Sequence, residues 1–390
     1  MDSPYRQELL LAFAAIQASA TITQSVLAAH QQTNLIEKDD LSPVTVADFA
    51  VQAVLTSVLA SAYPNDTFVG EESASELRNT SALLEIVWKY VSDLQNSQSH
   101  HEAGSKPHSQ DTKLVLPKSK EELCDLIDRC GSGKPKTGRT WVFDPIDGTK
   151  TFIRGELYAI NVALLVDGRQ ALSAVGCPML AMDSKAPLRN EDVDPENEGC
   201  ILFAVKDHGA HVRPLKGTVE EVQPRRLPRH EPATKPEEVR FSGCTTIVDS
   251  GLNDIHAIIA SHLTNPSSLS ASSNNPSSST ADWIPTCDLG AWVLRWTALA
   301  LGLANTTIWI YNKPTRYAKI WDHAGAVLLF EETGGMVTDV NGKELDWLAG
   351  RKMAGNVGFV GTRGGKEAHG RVVEVVRNVL RAHGKGKYLN

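Results

Sequence analysis

The stretch Asp144-Pro145-Ile146-Asp147-Gly148-Thr149 sets two carboxylates three positions apart, on either side of a proline, at the end of the apolar β-type run Trp141-Val142-Phe143. Two carboxylates held close together repel each other unless a cation lies between them. Mg²⁺ favours carboxylate oxygens, keeps some of its waters and often completes its shell with substrate phosphate. Pro145 fixes its own φ and biases Asp144 toward an extended backbone, so both side chains and the Ile146 carbonyl can converge on one point. Gly148 lets an anion approach the backbone closely, and a helix starting at Thr149 turns its free N–H groups toward that anion. This is the chemistry of a metal site running into a phosphate site. The alternative at this point is an Asx-rich surface turn, the usual fate of an Asp-Pro or Asp-Gly pair.

Further carboxylates stand at comparable places. Glu71 and Glu72 follow the short strand Phe68-Val69 and Gly70; Asp322 sits beside Trp321 ahead of a helix; Asp48 stands where a helix over Phe49–Leu59 is expected to begin. No one of these is specific, since an aspartate at a helix start also answers to the helix dipole. Four such placements in one chain point to a multi-metal phosphate site.

The elements that must carry these groups alternate. Ser3-Pro4 reads as a helix start, with Leu9, Phe13, Ile16 and Ala20 recurring at helical spacing. Helices are expected over Ser81–Leu94, Ser119–Arg129, Asp254–Leu263, Trp292–Leu303, Ala324–Glu332 and Glu367–Ala382. Strands are expected over Leu157–Val166 and Ala171–Val175, joined at Asp167-Gly168, and over Ile201–Val205 and His211–Pro214 as a second hairpin. Phe241–Val248 with the helix after it reads as a βα unit, and Thr307–Tyr311, Met336–Thr338 and Val357–Val360 as further strands. The polar segment from Asn96 to Lys113, with His100, His101 and His108, reads as a solvated loop, and the Ser/Asn/Pro-rich segment from Asn265 to Thr280 as a flexible one. The pattern is a layered α/β architecture without internal repeats.

The chain has 390 residues, with hydrophobic content of 42% and charged content of 22%, ordinary values for a globular protein. A net charge of −7 gives no sign of a nucleic-acid coat or of attraction to an anionic membrane. No basic n-region with an apolar core opens the chain, and no apolar run is expected to reach membrane-spanning length. The six cysteines are scattered without CxxC spacing, which argues against a zinc site or a disulfide framework and for a reducing compartment. The expected protein is a cytoplasmic monomer that acts on a small phosphorylated molecule.

Asp144–Thr149, Gly70-Glu71-Glu72 and Trp321-Asp322-His323-Ala324 followed by Gly334-Gly335 together resemble the signatures of the Mg²⁺-dependent, lithium-sensitive phosphomonoesterases, the inositol monophosphatase-like superfamily. Ser42–Asp48, Val69–Ser73, Ile153–Glu156 and Lys319–His323 are similar to segments of its 3′(2′),5′-bisphosphate nucleotidases of fungi and plants. The resemblance runs from the first helix to the end of the chain, apart from the two low-complexity insertions. It implies an α/β/α/β/α sugar-phosphatase architecture with two lobes. One spans residues 1–180 and holds most metal ligands; the other spans 181–390 and carries Asp322 and the substrate contacts. It further implies that Glu71, Asp144, Asp147, Asp322 and the Ile146 carbonyl hold two or three Mg²⁺ ions. Asp48 and Thr149 would orient and deprotonate the attacking water, and Gly148, Thr149, Arg295 and Asp322 would bind substrate. The implied reaction is hydrolysis of the 3′-phosphate of adenosine 3′,5′-bisphosphate by metal-activated water, extending to 3′-phosphoadenylyl sulfate and so to sulfur assimilation.

The sequence departs from that subgroup at its nucleotide contacts. Val248–Asn253 lacks the histidine of a Gly-His-Ser segment; Trp292 stands at a serine position, Arg295 at a lysine position and Trp309 at an arginine position. Each tryptophan is expected to fill core rather than to stack on a base. These changes keep two other readings open: a phosphatase of inositol polyphosphates or monophosphates, and a catalytically weak, phosphate-binding regulatory protein.

Overall fold

A computed structural model describes residues 3–33, 43–102, 114–218, 221–231, 233, 235–245, 251–265 and 284–389. Two long helices, α1 (Arg6–Thr33) and α2 (Pro43–Ala62), precede β1 (Thr67–Gly70), α3 (Ser75–Asn79), α4 (Ser81–Glu102) and α5 (Lys120–Gly131). Then come β2 (Arg139–Asp147), α6 (Thr149–Ile153), β3 (Ala159–Val166), β4 (Arg169–Cys177), β5 (Leu188–Arg189), β6 (Cys200–Val205), β7 (Gly209–Pro214), β8 (Arg225–Arg226) and β9 (Ser242–Gly243). The chain continues through α7 (Asn253–Thr264), β10 (Cys287–Asp288), α8 (Trp292–Ala300), β11 (Thr306–Trp309), α9 (Ala326–Glu332), β12 (Gly335–Thr338), β13 (Phe359–Arg363) and α10 (Gly365–Ala382).

Strands β1-β2-β3-β4-β6-β7-β8 form one sheet and β11-β13-β12 another, while β5-β10-β9 make a short third. In the large sheet β1 runs parallel to β2 and every later pairing is antiparallel. Successive side chains on a strand face opposite sides, and the large sheet uses this to serve two cores. Trp141, Phe143, Ile160, Val162 and Leu164 join the core beneath α1 and α2. Val142, Ala159, Ala163 and Leu165 join a second core with α8, α9 and one face of the smaller sheet. The other face of that sheet packs with α7 and α10 in a third core. The layers therefore run helix, sheet, helix, sheet, helix.

The expected start of α1 is present: the Ser3 hydroxyl accepts the Tyr5 N–H at 3.2 Å, and Leu9, Phe13, Ile16 and Ala20 are buried. By length and composition alone Arg6–His30 would cross a membrane, which corrects the expectation that no such run exists; 61% of its most apolar window is buried inside the protein. The second helix also corrects an expectation, because it begins at Pro43 rather than Phe49 and places Asp48 within the helix instead of at its start. Val46, Ala47, Phe49, Ala50, Val51 and Val54 are all buried, and burial on every side outweighs the weak strand preference of β-branched residues. Helix α4 runs through Glu102, so the expected loop does not begin at Asn96; His108 and the rest of 103–113 lie outside the described residues. Polar residues on a solvent-facing helix extend it at little cost once it has nucleated.

The hairpin between β3 and β4 turns on Asp167 and Gly168, both at positive φ (50° and 74°), as a two-residue turn requires. The expected βα unit pairs as a strand only at β9, and 246–250 and 266–283 lie outside the described residues.

Candidate active site

The end of β2 decides the site. Asp144 pairs with Asn161 on β3 and Asp147 with Ala159, so one extra residue of β2 bulges out between them. In a regular strand, positions three apart face opposite sides of the sheet. The bulge reverses that relation and re-aims the side chains, and Pro145 has no N–H for the ladder to lose. Oxygens of Asp144, Asp147 and Asp322 come within 4.8 Å of one another.

Each carboxylate is held by a different element. Asp322 closes a short 3₁₀ turn, Ile320–Asp322, ahead of α9. Two amide side chains of the large sheet pin that turn: Asn161 Nδ2 donates to the Trp321 carbonyl at 2.6 Å and Gln170 Nε2 to the Ala324 carbonyl at 2.5 Å. Neither residue was singled out from the sequence. Their signal was a polar residue within the apolar strands AINVALLV and RQALSAV. Asp147 Oδ2 accepts the N–H of Val293 in the first turn of α8.

Glu71 and Glu72 follow β1, and α2 clamps their backbone. Gln52 Nε2 donates to the Glu72 carbonyl at 2.8 Å, while its Oε1 accepts the Glu72 N–H at 2.9 Å. Asp48 lies one turn before Gln52 on the same helix face and is buried. Glu71 stands outside the tight trio, flanked by the cations of Lys319 and Arg351 and by the Trp321 indole. Arg351 ties this corner together, donating to the carbonyls of Glu71 at 3.2 Å and Cys130 at 3.1 Å while stacking on Trp321.

The electrostatics follow from this crowding. Burial, then the charges of Glu71, Asp147, Asp322 and Asp48, push the Asp144 carboxyl well above the usual range. Asp322 is raised by burial and then by Asp147 and Glu71, and Asp48 by burial and then by Glu72 and Glu71. Burial lifts Asp147 to about 7 against the opposing pull of the Val293 and Trp292 amides and of Arg295. Burial and then Glu71 lift Glu72 to about 7. Asp144 Oδ1 is buried without a hydrogen-bond partner among the described residues. An orphaned carboxylate oxygen amid other carboxylates is the environment that an oxygen-seeking divalent cation satisfies, so these residues fit Mg²⁺.

Around the trio, Gly148 adopts φ 93° and caps α6; a Cβ there would lie 2.6 Å from Thr151 Oγ1 and 2.9 Å from Ala291 Cβ. Thr149 is exposed, and its hydroxyl donates to the Ile146 carbonyl at 3.4 Å. In the first turn of α6 the Thr151 and Phe152 N–H groups donate to the Gly148 carbonyl at 2.9 and 2.8 Å, and the Thr149 and Lys150 N–H groups precede the first helical carbonyl that could take them. Arg295, expected to meet substrate, is only 4% exposed, and its guanidinium donates to the carbonyls of Leu289 and Gly290. Trp309 is core, at 2% exposure, whereas Trp292 is half-buried and meets it edge-on at 5.1 Å. Behind them His323, buried and neutral, accepts the Trp296 Nε1–H at Nδ1 and packs on Phe359.

This fold and site belong to a known class of phosphatases. The chain is a member of the inositol monophosphatase family, which it matches over residues 6–381. It is 32% identical over 387 residues to the 3′(2′),5′-bisphosphate nucleotidase of Emericella nidulans, covering 97% of this chain and 99% of the relative. It is 32% identical over 364 residues to the enzyme of the same name from Schizosaccharomyces pombe, covering 90% of each. It is 31% identical to the 3′,5′-bisphosphate nucleotidase 2 of Arabidopsis thaliana, covering 92% of this chain and 93% of the relative. Among solved structures, an inositol monophosphatase from Zymomonas mobilis shares the fold at 15% identity with a TM-score of 0.54, covering 96% of this chain and 100% of that one. One from Staphylococcus aureus does so at 17% identity with a TM-score of 0.51, covering 96% and 95%.

Proposed function

We propose that this protein hydrolyses the 3′-phosphate of adenosine 3′,5′-bisphosphate to AMP and phosphate, and accepts 3′-phosphoadenylyl sulfate as a second substrate. The observation that carries the reading is the trio Asp144, Asp147 and Asp322, gathered by the β2 bulge in a chain similar end to end to bisphosphate nucleotidases. Glu71, Asp144, Asp147, Asp322 and the Ile146 carbonyl are the groups that would hold two or three Mg²⁺. When bound, Mg²⁺ supplies charge neutralisation and activation of the hydrolytic water. Asp48 and Thr149 orient and deprotonate that water. The Gly148 and Thr149 amides take phosphate oxygens. Six buried, free cysteines support a cytoplasmic setting, and a monomer is the state we propose for the chain.

One observation favours a second reading, a phosphatase of inositol phosphates. Arg295, standing where the resemblance places a cation that contacts the nucleotide, is buried and turned toward backbone carbonyls. Purified protein with Mg²⁺ offered adenosine 3′,5′-bisphosphate, inositol 1,4-bisphosphate and inositol 1-phosphate, with and without Li⁺, separates the two. Phosphate release from the nucleotide, suppressed by Li⁺, is the expected result; release from an inositol compound alone would overturn it.

A further inference from the structure

The guanidinium of Arg295 sits in the corner formed by two indoles that meet edge-on, 4.2 Å from the centroid of Trp292 and 4.7 Å from that of Trp309. Such an aromatic corner suits a planar, weakly hydrated guanidinium better than a strongly hydrated ammonium. Two edges of the plane are used: Nε donates to the Leu289 carbonyl at 2.8 Å and Nη2 to the Gly290 carbonyl at 2.9 Å. Nη1 is buried without a hydrogen-bond partner among the described residues. The same turn is held from its other side, where the Leu289 N–H donates to the Gly243 carbonyl and the Gly290 N–H to Asn190 Oδ1. The Ser242 hydroxyl donates to the carbonyl of Arg295 itself.

That turn leads directly into the first turn of α8, whose Val293 N–H meets Asp147. Asp147 is also among the anions whose charge reaches Arg295. A buried guanidinium is tolerated only with compensation, and here the compensation is two carbonyls, two aromatic faces and the nearby carboxylate.

We propose that Arg295 is a positioning residue for the metal centre rather than a substrate ligand: gripped by Trp292 and Trp309, it fixes the Leu289–Gly290 turn so that the Val293 amide holds Asp147 in its place in the carboxylate trio. The inference rests on the reading of that trio as the Mg²⁺ site. It explains why a cation can be present at this position without reaching a second phosphate of the substrate.

The test compares the full-length wild type with Arg295→Met and Arg295→Lys, reading Mg²⁺ binding by calorimetry in the absence of substrate and kinetics at saturating Mg²⁺. Loss of a group that orients a metal ligand weakens metal binding by about 10- to 100-fold. Arg295→Met is expected to show that loss while KM at saturating Mg²⁺ stays within about twofold of wild type. Arg295→Lys keeps the charge without the planar fork and is expected to recover only part of the affinity. An increase in KM with Mg²⁺ affinity unchanged would overturn the assignment and make Arg295 a substrate ligand. Unchanged Mg²⁺ affinity with a lowered melting temperature would overturn it in favour of packing alone. Should Arg295→Met fail to fold, the same titrations on Arg295→Lys and Trp292→Leu decide, since both loosen the grip and both must weaken Mg²⁺ binding. Absence of Mg²⁺ binding in the wild type would instead refute the metal reading of the trio, and the assignment with it.

Discussion

The carboxylate of Asp147 accepts the backbone N–H of Val293, which lies 146 positions further along the chain. One hydrogen bond thus ties the bulged end of β2 to the start of α8. Asp147→Asn keeps an oxygen for that bond but removes the charge. The variant should fold, with a melting temperature near wild type, and lose several orders of magnitude in phosphate release. A near-wild-type rate would refute its place in the metal centre.

The crowded carboxylates make Mg²⁺ stabilisation pH-dependent. Asp147 and Glu72, both lifted to about 7 by burial, hold protons in the folded protein that the unfolded chain releases near pH 4. Their contribution to metal-free stability therefore falls as pH rises through that window. Cation binding requires the ionised forms, so the gain from Mg²⁺ grows in the same direction. The buried, neutral His256 and His323 act oppositely on stability below about pH 6.5. The rise in melting temperature on adding Mg²⁺ is expected to increase from about pH 5.5 to 8. A rise that is the same at every pH would contradict the proposed cluster.

Gly148 is required by its conformation and by its neighbours. Gly148→Ala would place a Cβ at φ 93° and within 2.9 Å of Ala291 Cβ, beside the start of α8. Left-handed backbone costs about 1–2 kcal/mol for a residue with a Cβ. Urea unfolding should show at least that loss, and phosphate release should fall with it, because the displaced first turn of α6 borders the carboxylates. Full activity would show that the Gly148 and Thr149 amides play no part in binding phosphate.

His323→Phe tests the aromatic cluster behind the site. The replacement preserves the ring against Phe359 but removes the acceptor for Trp296 Nε1, leaving a buried N–H unpaired. Such a group costs about 1–3 kcal/mol, readable as a lower urea midpoint with an unchanged slope. A stability equal to wild type would show that the hydrogen bond is not formed in solution.

Much of this protein was legible in the residues alone, and the corrections have physical causes. The hairpin turn at Asp167-Gly168 and the apolar stripe of α1 are local patterns, and local chemistry settles them. The start of α2 was misplaced because local propensity is weak there and burial on all sides overrides it. The polar composition of 96–102 misled in the same way, because that stretch continues α4, while 103–113 and 266–283 lie outside the described residues.

The active site divides in the same way. Asp144, Ile146, Asp147, Gly148 and Thr149 could be named from their types and spacing, because a cation needs oxygens and a phosphate needs open backbone. That Asp144 and Asp147 face the same way was decided only by the bulge between β2 and β3, since pairing register depends on a partner strand far along the chain. The clamps on the site, Asn161 to Trp321, Gln170 to Ala324 and Val293 to Asp147, link positions 146–160 apart and leave no local pattern. The place of Arg295 was likewise a tertiary decision. A sequence shows a cation at that position, whereas burial in the corner of Trp292 and Trp309 turns it toward the Leu289 and Gly290 carbonyls.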